Sequence, residues 1–97
     1  VSELDKLEKW LGENAQRFGY DVTRDDCEPE RSRVNKHQII VGRNGEYLWD
    51  AICHYGSYGY EQGLLEIYGS LVDDGGVVGW LTAEDVIRRI EEKEGER

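Results

Sequence analysis

The chain has 97 residues, with 12 Lys/Arg against 21 Asp/Glu and a net charge of −9 at pH 7. That length allows one hydrophobic core, so residues 1–97 are expected to form one compact domain. The acidic balance gives no counterion-release energy on a phosphate backbone and no attraction to an anionic membrane. It points instead to a partner with a basic protein surface.

Ser2 and Asp5 form a capping pair at the start of a helix, and Leu4, Leu7, Leu11, Ala15 and Phe18 make its apolar stripe. Gly19 is the expected stop. Tyr20, Val22 and Arg24 begin a short strand, and the segment 25–35, with the sole proline Pro29, reads as a loop. His37–Val41 and Tyr47–Cys53 are predicted strands, and Asn44-Gly45 between them is a hairpin turn signal. Strict alternation in the second strand would place Tyr47, Trp49, Ala51 and Cys53 on one face, with Leu48, Asp50 and Ile52 on the other.

A glycine- and tyrosine-rich stretch, His54 to Tyr60, precedes a predicted helix with Tyr60, Leu64, Leu65, Tyr68, Leu71 and Val72 as its stripe. The apolar run Val77–Trp80 reads as a short strand or loop. Thr82 and Asp85 then offer a second capping box, with Leu81 and Val86 as a staple and Ile87 and Ile90 facing inward. The tail after about residue 91 is expected to fray. The fold class is α+β: an antiparallel sheet of about three strands packed on helices, in the order α-β-β-β-α-α.

Residues 46–97 hold twelve acidic and four basic side chains, so the negative field lies mainly in that half. No catalytic constellation, metal site or cofactor site is expected. Cys53 and His54 are adjacent, and neighbouring strand residues point to opposite faces, which is poor geometry for base activation of a thiol. Cys27, His37, Cys53 and His54 lack the close spacing of zinc ligands. Without a signal peptide or an apolar run of membrane-spanning length, two reduced cysteines and a cytoplasmic location are expected. Val1 is not an initiator residue, so at least one residue is expected upstream.

The first functional reading is an acidic protein-interaction module. Tyr55, Tyr58 and Tyr60 supply anchors, and Glu61, Glu66, Asp73 and Asp74 supply orientation. The second is a small enzyme or ligand-binding domain with a pocket at Asp50, His54 and Ser57. The third is a homodimer paired through an apolar helix or an open sheet edge.

The run Trp49–Tyr68, with the later Gly79-Trp-Leu-Thr-Ala-Glu-Asp-Val-Ile87, resembles a family of small uncharacterised proteins from Firmicutes and their prophages. The resemblance spans the chain from the Leu4–Leu11 segment to Ile90. It implies a phage or mobile-element accessory protein that occupies a basic surface of a host or defence protein, and it brings no activity with it.

Overall fold

The computed structural model describes residues 1–27, 35–73 and 75–95. Helix α1 (Glu3–Phe18) leads into strands β1 (Asp21–Cys27), β2 (Lys36–Arg43) and β3 (Glu46–Ile52). A 3-10 turn (Tyr60–Gln62), strands β4 (Leu65–Gly69) and β5 (Val77–Leu81), and helix α2 (Ala83–Gly95) follow. The strands form one antiparallel meander in the order β1-β2-β3-β4-β5.

The ends of α1 are fixed by local chemistry. The Asp5 N–H donates to Ser2 Oγ at 3.0 Å, and Asp5 Oδ2 accepts from the Ser2 N–H. Gly19 closes the helix in the left-handed region at φ 70°. Helix α2 starts on the second capping box, with the Asp85 N–H donating to Thr82 Oγ1 and the Thr82 N–H to Asp85 Oδ2. A type I′ two-residue turn needs positive φ at both positions, and Asn44 and Gly45 supply it at 55° and 80°.

Leu4, Leu7 and Leu11 of α1 and Ala83, Val86 and Ile90 of α2 share one core with Ile39, Val41, Trp49, Ala51, Leu65 and Ile67. Both helices therefore cover the same face of the sheet. The alternate positions, Gln38, Ile40, Asp50, Ile52, Glu66 and Tyr68, lie on the face that no helix among the described residues covers.

Five strands stand where about three are expected. The predicted helix from Tyr60 to Val72 is a single 3-10 turn followed by β4. Gly63, at φ 72°, donates its N–H to Tyr60 O and ends the turn. From there Leu65 and Ile67 point into the core while Glu66 and Tyr68 point away, a period of two. Leu71 and Val72 are buried from the following turn, which is why their spacing mimics a helical stripe. The run Val77–Leu81 is a strand paired with β4.

Two smaller corrections concern the strands. Asp25–Cys27 belong to β1 rather than to a loop, while residues 28–34, including Pro29, lie outside the described residues. Opposite Gly42 a bulge interrupts β3, since Val41 pairs with Trp49 and Gly42 with Tyr47. The extra residue reverses the alternation: Leu48 packs on the core, and Tyr47 joins Asp50 on the uncovered face. Helix α2 runs on to Gly95.

That last turn is held by a three-way contact. Glu94 Oε2 accepts from Tyr20 Oη at 2.7 Å and from Arg43 Nη2 at 2.8 Å. Arg43 also donates to Phe18 O through Nε and Nη2. Burial, then the Glu94 carboxylate, push the Tyr20 phenol well above the ordinary tyrosine value of 10.0. A raised folded pKa contributes stability that is fully present below the unfolded value and is lost as pH rises beyond it. Denaturation across the alkaline range should show stability declining from about pH 10 upward. Tyr20→Phe should flatten that slope in part, with Tyr47, raised by burial and by Asp50, supplying the remainder.

Candidate functional site

Beyond β3 the chain turns over the uncovered face. Ser57 closes the turn, its hydroxyl donating to His54 O at 2.7 Å and accepting from the His54 N–H at 3.1 Å. His54 Nδ1 accepts from the His37 N–H at 3.4 Å. Asp50 is held elsewhere, accepting from Gln38 Nε2 at 3.0 Å and from the Tyr47 hydroxyl. The expected pocket residues thus split: His54 and Ser57 make a backbone-locking turn, and Asp50 forms no hydrogen bond with either. Burial raises the pKa of the Cys53 thiol, which packs on the core, while Cys27 is exposed; both are free.

The tyrosines do converge. The Tyr55 N–H donates to Asn35 Oδ1 at 2.7 Å, and Asn35 Nδ2 donates to Tyr60 Oη at 3.2 Å. Asn35 thereby sets the two rings edge to face, with centroids 6.3 Å apart. The Tyr58 N–H donates to Glu66 Oε1 at 2.9 Å, which pins the loop to the uncovered face of β4. The Tyr58 ring stacks on Trp80, with centroids 5.3 Å apart and planes 15° apart.

Trp80 is held there by its backbone. Leu65 pairs with Leu81 and Ile67 with Val78, so β5 carries one residue more than β4 over this stretch. Within that bulge Trp80 adopts φ 56°, a region costly for any residue with a Cβ. Its N–H reaches Tyr58 O at 3.3 Å. Two glycines permit the approach: a Cβ on Gly79 would lie 2.3 Å from Tyr58 Cβ, and one on Gly59 would lie 3.0 Å from Trp80 N and Cα. Even so the indole remains 58% exposed, beside Tyr55 at 56% and Tyr58 at 51%.

The result is an open groove of about 490 Å³, lined by residues 55–62 and Trp80. Among the described residues its one charged side chain is Glu61. Strand positions on the same side of the sheet add Asp21, Asp25, Asp50 and Glu66, together with Lys36, which is bonded to Asp25 at 2.7 Å.

Comparisons with protein-family models, curated proteins and solved structures returned no match. The site is therefore defined by its own geometry.

Of the residues singled out in the sequence, Tyr55, Tyr58, Tyr60 and Glu61 line the groove, and Glu66 supports it through Tyr58. Asp73 is placed differently. It pairs with Lys93, which holds its carboxyl below the usual range, and lines a separate groove with Asp85, Arg88, Arg89 and Glu92. Its charge is thus locally balanced. Asp74 lies outside the described residues. Sequence reasoning missed Trp80 and Asn35. The Gly79-Trp80 step within a short apolar run was the available signal, because an isolated strand glycine marks a bulge or a close backbone approach.

Proposed function

We propose that the protein is an interaction module that sets its uncovered sheet face, aromatic groove first, against a basic protein surface. The observation that carries this reading is the Tyr58–Trp80 stack: a tryptophan in a left-handed backbone, more than half exposed. Backbone strain of this kind persists where the surroundings enforce it, and it clusters at ligand contacts. Exposed Trp and Tyr supply the energy of an interface, and carboxylates around them steer and orient a cationic partner. We further propose a phage-accessory setting, with the basic surface belonging to a host or defence protein.

Two other readings have less behind them. A catalytic pocket at His54 would need a free Ser57 hydroxyl, and that hydroxyl is engaged with His54 O. Homodimerisation through a sheet edge would need flat, uncharged edges. Here β1 carries Arg24, Asp25 and Asp26, and β5 is bulged.

Affinity capture from host extract, at low and high salt, tests the proposal. Wild-type protein should retain a basic partner in a yield that falls with salt, and Trp80→Gly should lose it. Partners that are only acidic, or a yield indifferent to salt, would count against the reading.

A further inference from the structure

The groove's chemistry narrows the partner further, on the premise that it does meet a basic surface. We infer that it receives an arginine side chain, its guanidinium lying on an outer face of the Tyr58–Trp80 stack and its N–H groups turned toward Glu61. Among the described residues the lining holds Tyr55, Tyr58, Tyr60 and Trp80 with one carboxylate, and no Lys, Arg or His. An anionic guest would meet Glu61 with no base among the described lining residues to neutralise it, and a neutral guest would gain at most a hydrogen bond from that charge. A cation gains from both the ring faces and the carboxylate.

Between the two cationic side chains, the groove favours the flat one. A guanidinium stacks on an aromatic face and is weakly hydrated, so it keeps its in-plane N–H groups free for a carboxylate while it stacks. A lysine ammonium is compact and strongly hydrated, and it would shed more water to reach the same rings. The rings are also fixed before any guest arrives. Asn35 bridges Tyr55 and Tyr60, Glu66 holds the Tyr58 N–H, and the Gly59 and Gly79 contacts leave Trp80 little room to shift. Side chains already ordered add little entropic cost on binding.

Calorimetric titration of the full chain with two peptides of equal length and charge, one of alternating Gly and Arg and one of alternating Gly and Lys, tests this assignment. The arginine peptide should bind about fivefold more tightly. Trp80→Gly and, separately, Glu61→Gln should bring the two peptides to within about twofold of each other. Trp80→Gly suits a positive φ, and Glu61→Gln changes an exposed side chain, so a folding failure in one leaves the other to decide. Equal affinity for both peptides, still falling with salt, would overturn the arginine assignment and leave the basic-surface reading standing. Binding of neither peptide at low salt would overturn both.

Discussion

Gly69→Ala should lower stability by about 3 kcal/mol, combining a positive-φ penalty of about 1–2 kcal/mol with overpacking of about 1–3 kcal/mol. Gly69 pairs with Trp49 at φ 105°, and a Cβ there would lie 2.5 Å from Leu48 O and 2.7 Å from Trp49 Cα. Both atoms are backbone of the central strand β3, so neither can swing aside. The Ser70 N–H also donates to Leu48 O at 2.8 Å, and that bond depends on the same close approach. For a chain of this size the loss corresponds to a fall in Tm of roughly 15 °C. Gly63→Ala is the control, with φ 72° but nothing within 4 Å of the added carbon. It should cost about 1 kcal/mol, the backbone term alone. Urea denaturation would compare the two midpoints at unchanged slope. Equal losses would mean that β3 and β4 can separate without consequence, contrary to the packing described.

The contrast between those glycines also shows which parts of the fold were legible. Ser2-Asp5 and Thr82-Asp85 are readable as helix starts because capping depends on residues three apart, and both boxes form. Asn44-Gly45 is readable for the same local reason. Residues 60–72 are not, because spacing alone cannot separate a helix from a turn, a five-residue strand and a second turn, all burying residues on one side. Gly63 and Gly69 divide that stretch, and their role rests on positive φ and on contact with β3, which is remote in sequence. The bulge at Leu48 was hidden likewise, since it depends on pairing with β2. At the site, aromatic content identified the three tyrosines. Trp80 became part of it only through a bulge, to which Gly79 was the one local pointer.

Gly79→Ala should lower stability and partner binding together, whereas Trp80→Gly should lower binding alone. Gly79 lies outside the positive-φ residues, so alanine meets no backbone penalty there. The obstacle is steric, with Tyr58 Cβ at 2.3 Å and Tyr58 O at 2.8 Å from the new carbon. The 55–62 loop must move off β5, weakening the Trp80 N–H contact to Tyr58 O and the ring stack, at a cost of about 2 kcal/mol. Capture of a basic partner should fall as far as in Trp80→Gly, although every aromatic side chain is retained. Trp80→Gly removes the anchor but relieves a left-handed tryptophan worth about 1–2 kcal/mol, which offsets about 0.5–1.5 kcal/mol of lost stacking. Its stability should stay within about 1 kcal/mol of wild type. Thermal melts and partner capture on the two variants would show whether ring position, and not ring content, makes the site. If Gly79→Ala captured its partner as wild type does, the stack would be incidental to the interface. A tryptophan kept at φ 56°, where glycine would be at least as stable, is what selection for an exposed anchor would leave behind.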